Sequence, residues 1–121
     1  MSYNRLLVVD DEVNQGLLYE QELKDEGYEV DIANSGKEAL ELIVKNSYDL
    51  VVLDIGMPEM DGLETLSQML NIDNKIPVIL NTAYPSYKDN FMSWAADAYV
   101  IKSNNMTELK AKIKESLSKR A

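Results

Sequence analysis

Residues 48–62 read YDLVVLDIGMPEMDG. Four consecutive apolar residues, Leu50 to Leu53, stop at Asp54, and Met57-Pro58 follows three residues later. An uninterrupted run of this length reads as a strand buried on both faces. An aspartate at the end of such a strand is costly unless it is partnered or reactive. Working outward, short apolar runs of the same kind alternate with longer amphipathic ones. LLVV (6–9) is a first strand, leading through Asp10 and Asp11 into a helix over 13–26. Leu17, Leu18 and Leu23 are expected to face inward there, with Gly27 as the stop. EVDIA (29–33) is the second strand; Ser35 and Glu38 then form a capping box before a helix that buries Ala39, Leu40, Leu42 and Ile43. After the MPEMDG loop, Leu66, Met69 and Leu70 mark a helix over 63–71. VIL (78–80) follows Pro77 as strand four, residues 87–95 read as a weaker helix, and AYVI (98–101) is strand five. Asn105 and Glu108 repeat the capping signature ahead of a last helix with Leu109, Ile113 and Leu117 on one face. Five such units imply a parallel sheet covered on both faces, a doubly wound α/β sandwich.

Composition narrows the chemistry. The chain has 121 residues, 45% hydrophobic and 27% charged, which suits one globular domain spanning 1–121. With 12 basic and 21 acidic residues the net charge is −9, which opposes binding to phosphate backbones or anionic lipid. There is no Cys, so disulfides and thiolate metal sites are excluded, and no His, the commonest general base and transition-metal ligand. Acids at positions 10 and 11 interrupt any signal-peptide core, and no apolar run approaches a membrane span, so a cytoplasmic protein is expected.

The polar residues at the carboxyl ends of the strands form one constellation. Strand one ends in Asp10 and Asp11, strand two in Asn34 and Ser35, strand three in Asp54, strand four in Thr82 and strand five in Lys102. Open α/β sheets bind ligands at that edge. Singly, each has a bland reading: the paired acids as caps of the first helix, Thr82 as a turn residue, Lys102 as a solvated cation. Together, three crowded carboxylates call for a cation, and with only oxygen donors a hard ion is expected, Mg²⁺ first and Mn²⁺ as a substitute. A carboxylate beside Mg²⁺ and an ammonium is poised to attack phosphorus and form an aspartyl phosphate.

With these residues in place the chain resembles the receiver domains of two-component response regulators over essentially its whole length. The matching stretches are VVDDE (8–12), VVLDIGMPEMDG (51–62), NTAY (81–84) and AYVIK (98–102). The resemblance implies a flavodoxin-like sheet in the order 2-1-3-4-5. It implies that Asp54 accepts a phosphoryl group from a sensor histidine kinase or a histidine phosphotransfer protein. By the same likeness Asp10 and Asp11 hold Mg²⁺ with the backbone carbonyl of Gly56, Thr82 and Lys102 bind the phosphoryl group, and Tyr99 is the aromatic that switches rotamer as Thr82 moves. Gly56 and Tyr84 would flank the approach of hydrolytic water, and Pro58 would shape the following loop and keep its carbonyls near the metal.

Three positions depart from the family pattern. Ser103 follows Lys102 where Pro with a cis bond is usual, so a trans bond is expected. Asn81 stands where an apolar residue is usual and needs a hydrogen-bond partner or solvent, and Ala95 replaces a helix-ending Gly. Trp94 reads as packing, Tyr84 and Tyr87 equally as surface or recognition residues, and the basic tail KAKIKESLSKR as a solvated helix face. Two rival chemistries share this kind of sheet. A Mg²⁺-dependent phosphatase with an aspartate nucleophile needs a second Asp two residues on, where Gly56 stands. A flavin carrier needs a phosphate cradle where Asp10, Asp11 and Glu12 would repel one. The expected protein is a phosphorylatable switch, monomeric or weakly dimeric when phosphorylated, that acts on an unidentified output protein near strand five. No output domain follows in the sequence, so a relay intermediate, a docking switch or a receiver cut from a longer chain is anticipated.

Overall fold

The apolar runs become parallel strands, and their alternation divides the core between two faces. The computed structural model describes residues 4–54, 62–82, 96–102 and 106–120, the side chains of 62, 63 and 120 excepted. In chain order these form β1 (Arg5–Val9), α1 (Val13–Asp25), β2 (Glu29–Ala33), α2 (Gly36–Lys45), β3 (Leu50–Leu53), α3 (Gly62–Ile72), β4 (Val78–Thr82), β5 (Ala98–Ile101) and α4 (Thr107–Arg120). The sheet has five strands in the order β2-β1-β3-β4-β5, all pairs parallel, with Val9 opposite Leu53 and Leu53 opposite Leu80. The doubly wound reading and its strand order therefore hold. The weak helix over 87–95 and the Asn105 cap lie outside the described residues.

Leu7, Val9, Val51, Leu53, Val78 and Leu80 face α2 and α3, meeting Ala39, Ile43, Leu66 and Met69. Leu6, Val8, Leu50, Val52, Ile79 and Val100 face α1 and α4, meeting Tyr19, Leu23, Leu109 and Ile113. Each such side chain, fully buried, contributes about 1.5–3 kcal/mol, and the run β3 supplies both faces, which is why it sits at the centre of the sheet. At the amino end, Arg5 Nη2 lies 2.7 Å from Asp31 Oδ2 and the Tyr48 hydroxyl donates to the same oxygen at 2.7 Å. The Arg5 guanidinium also stacks 5.2 Å from the Tyr48 ring centroid. This cluster ties β1 to β2 and to the α2–β3 connection.

Helix signals in the sequence are largely realised. Ser35 Oγ accepts from the Glu38 N–H at 3.1 Å, opening α2. Gly27 ends α1 with φ +98°, in the left-handed region that glycine tolerates, while Gly27 N–H donates to Lys24 and Tyr28 N–H to Leu23. The inward face of α1 differs from expectation. Leu17 and Leu18 are 54% and 49% exposed, and the buried stripe is Gly16, Tyr19 and Leu23. The cause is a close approach: a Cβ added at Gly16 would lie 3.2 Å from Ile32 Cγ2. With Gly16 against β2, residues 17 and 18 are turned by about 100° and 200° from the contact, so the leucines leave the core.

Candidate functional site

The ladder of the sheet runs one residue past three of its strands. Asp10 N–H donates to Ala33 O at 3.0 Å, Asp54 N–H to Val9 O at 3.0 Å, and Lys102 N–H to Thr82 O at 2.8 Å. Each polar residue is thus held in the sheet's frame before its side chain makes any contact. Strand alternation then sets direction. Asp10, Asp54 and Lys102 continue the parity of Val8, Val52 and Val100 and emerge on the α1/α4 face. Thr82, completely buried, continues the parity of Leu80, and Tyr99 packs into that same α2/α3 core.

Lys102 Nζ bridges the two strand-ending acids, 2.8 Å from Asp10 Oδ2 and 2.9 Å from Asp54 Oδ2. The side chains concerned are 15% (Lys102), 1% (Asp10) and 10% (Asp54) exposed, so water screens them little. Burial would lower the Lys102 pKa, but its hydrogen bonds to Asp10 and Asp54 outweigh burial and push it up, so the ammonium stays charged. The other Asp10 oxygen accepts the Glu12 N–H at 2.9 Å, and the Asp10 carbonyl accepts Asn34 Nδ2 at 3.1 Å. The N-cap of α1 is Glu12, without a side-chain capping bond, so the reading of Asp10 and Asp11 as helix caps is not realised.

Asp10, Asp11 and Asp54 each place a carboxylate oxygen within 4.8 Å of the others. This all-oxygen, acidic set, open to water through the partly exposed Asp11, fits a hard divalent cation. Asp10, Asp11, Asp54 and Lys102 are therefore brought together as the sequence led one to expect, with Thr82 at the adjoining strand end. Gly56, Pro58, Tyr84, Tyr87, Trp94, Ala95 and the Lys102–Ser103 peptide lie outside the described residues.

One participant escaped the sequence reading. Tyr19 of α1, 4% exposed, packs into the α1/α4 core, the face that Asn81, 3% exposed, shares by strand parity with Ile79. Burial raises the Tyr19 pKa, and the charges of Lys102, Asp10 and Asp54 all act on the hydroxyl. The signal was available: Tyr19 stands three residues after Gly16 and four before Leu23, the helical spacing of a single buried stripe.

Comparison with known proteins agrees with this geometry. The family described as response regulator receiver domain matches residues 6–114. The transcriptional regulatory protein PcoR of Escherichia coli is 35% identical over 115 residues, covering 93% of this chain and 51% of that protein. ZraR of Escherichia coli K12 is 36% identical over 115 residues, covering 93% of this chain and 26% of that protein. The chain thus spans about half or a quarter of the length of these relatives. The response regulator TrrA of Thermotoga maritima, solved in complex with Mg²⁺–BeF, superposes with TM-score 0.91 at 48% identity, covering 93% of this chain and 98% of that one. TrrA in complex with the histidine kinase ThkA gives TM-score 0.89 at 48% identity, covering 94% and 98%. On the family match, the relatives and the fold, the chain belongs to the receiver domains of two-component response regulators.

Proposed function

We propose that this receiver domain works as a cytoplasmic switch that accepts a phosphoryl group on Asp54 in a Mg²⁺-dependent step. The observation that carries the reading is the convergence of Asp54 with Asp10, Asp11 and Lys102 at one sheet edge. An Asp54 oxygen forms the new bond to phosphorus while the donor's bond to phosphorus breaks, its electron pair leaving with the donor's imidazole or, for acetyl phosphate, its carboxylate. Lys102 is 2.9 Å from the nucleophile and supplies positive charge where the phosphoryl oxygens arrive. Thr82, at the end of β4, supplies a hydroxyl to the bound group. Asp10, Asp11 and Asp54, with the Gly56 carbonyl, would hold the Mg²⁺ (Mn²⁺ as a substitute), which offsets charge on the transferring group when bound.

The donor is a sensor histidine kinase or a histidine phosphotransfer protein, in keeping with the kinase complex of TrrA. The surface of α1 supports this. Val13, Leu17 and Leu18 stand exposed on the helix that starts three residues after Asp10, giving a helical donor an apolar seat beside the acceptor. Occupation of Asp54 is read through Thr82 and Tyr99, changing the surface near β5 for an output protein. The domain itself is a signalling element and not a turnover catalyst: Gly56 offers no acid/base group for release of the phosphoryl group. A net charge of −9 argues against direct contact with nucleic acid or lipid, and none of the described helices is long and apolar enough to cross a membrane. The switch is monomeric or dimerises weakly once phosphorylated.

Intact-mass spectrometry after incubation with acetyl phosphate and Mg²⁺ tests the assignment. One added phosphoryl group is expected on the wild type and none on Asp54→Asn. Equal labelling of the two proteins overturns it.

A further inference from the structure

Four strand ends carry the charges and the hydroxyl of the site; the fifth, that of β2, carries Asn34. Its side chain is directed at the backbone of the neighbouring strand. Asp10 N–H donates to Ala33 O at 3.0 Å, and Asn34 Nδ2 donates to the Asp10 carbonyl at 3.1 Å. In a regular parallel pair these two bonds engage residues two apart on the partner strand, which here are Ala33 and Ser35. Ser35 is instead the N-cap of α2, its hydroxyl accepting the Glu38 N–H at 3.1 Å. The Asn34 amide thus supplies a donor where β2 has ended, and it carries the tie between β1 and β2 one step further.

That bond bears on Asp11. The Asp10 carbonyl and the Asp11 N–H share one planar peptide, so the plane that Asn34 holds is the one from which Asp11 departs. Two other bonds of this turn act differently. The Glu12 N–H on Asp10 Oδ1, at 2.9 Å, closes the turn on itself, and Lys102, at 2.8 Å, holds the Asp10 side chain. A cation taking the carboxylates competes with Lys102 for Asp10, whereas the bond from Asn34 goes to the backbone and does not compete. We propose that Asn34 is a positioning residue for the cation: it fastens the Asp10–Asp11 peptide to the end of β2. The partly exposed Asp11 carboxylate is thereby kept within 4.8 Å of those of Asp10 and Asp54. The inference rests on the reading of these three acids as the Mg²⁺ site. Without the amide, the ion itself would have to assemble the set, at a cost in affinity.

The test measures Mg²⁺ affinity by isothermal titration calorimetry, with thermal melts in EDTA and the Mg²⁺ dependence of labelling by acetyl phosphate. Asn34→Ala removes the donor, and Asn34→Leu removes it while keeping the volume. Both should bind Mg²⁺ roughly 10-fold more weakly, with Tm in EDTA only slightly below wild type. The Mg²⁺ concentration that half-saturates labelling should rise by the same factor. The rate at saturating Mg²⁺ should keep its wild-type value, since Asp54 and Lys102 are unaltered. In an Asp11→Ala background, Asn34→Ala should weaken Mg²⁺ binding no further, because the ligand it positions is gone. A lower Tm with unchanged Mg²⁺ affinity, or a loss that multiplies with that of Asp11→Ala, overturns the inference and leaves Asn34 a tie between strands. If Asp11→Ala itself binds Mg²⁺ as tightly as wild type, the reading of the metal site fails, and the inference with it.

Discussion

In the metal-free protein Lys102 is the cation that offsets the acidic cluster, and Lys102→Met removes it while keeping a stem of similar length. Asp10 at 1% and Asp54 at 10% side-chain exposure are then left without their shared ammonium, with Asp11 close by. Removing one partner of a buried pair costs about 3–5 kcal/mol, and the rim position of the cluster points to the lower end, about 3 kcal/mol. For a domain of this size each kcal/mol moves Tm by roughly 3–5 °C, so the variant should melt about 10 °C below wild type in chelator. Mg²⁺ reverses much of this. It stabilises the wild type by about 2.7 kcal/mol at a hundred times its Kd. The variant gains more, because the ion no longer competes with an ammonium for Asp10 and Asp54. Paired melts in EDTA and in excess Mg²⁺ should therefore show the gap closing to less than half. Labelling by acetyl phosphate should stay slow, roughly 100-fold below wild type, since restored stability does not restore the charge aimed at the phosphoryl oxygens. Equal melting in EDTA, or a gap that Mg²⁺ leaves unchanged, would refute the view of Lys102 as the resident counter-charge.

Asp11→Ala should lose most of the Mg²⁺-dependent rise in Tm while melting no lower than wild type in EDTA, because one repelling carboxylate is gone. At the other end of the sheet, Tyr48→Phe deletes the hydroxyl on Asp31 and should cost about 1 kcal/mol. Burial opposes ionisation of Asp31, but hydrogen bonds from Tyr48 and Arg5 hold its pKa below the ordinary value. Its contribution is therefore present above the unfolded carboxylate pKa and lost as pH falls through the folded one, so the Tm gap to Tyr48→Phe should be full at neutral pH and shrink in acid. Leu17→Glu with Leu18→Glu should change stability by less than about 0.5 kcal/mol, since both side chains are exposed, and leave labelling by acetyl phosphate intact while slowing transfer from a histidine donor. Tyr84→Ala should shorten the life of the aspartyl phosphate in single-turnover dephosphorylation; an unchanged rate confines Tyr84 to recognition.

The sheet and most of the site were legible for a shared reason. Runs such as LVVL at 50–53 are apolar on both faces, which only a covered parallel sheet accommodates, and the first polar residue after each run must then fall at its carboxyl edge. What local pattern could not show was which acids Lys102 would hold, since its partners lie 92 and 48 residues away. The Arg5–Asp31–Tyr48 cluster was hidden likewise, its members being 26 and 17 residues apart.

The misphased α1 and the overlooked Tyr19 have a single physical origin. In GLLYEQEL (16–23) hydrophobicity alone sends the leucines inward, but the backbone approach of Gly16 to Ile32 sets the rotation, and that contact is tertiary. Once α1 is turned, Tyr19 rather than Leu18 enters the core on the α1/α4 face. Both inversions occur within two turns of the start of α1, beside Asp54. In the rest of the helix the ordinary rule returns, and Leu23 is fully buried against Leu6 and Val30 in the same core. The departures from hydrophobic patterning thus cluster where the fold meets its chemistry, because there a side chain's exposure is set by what it must touch and not by its affinity for water.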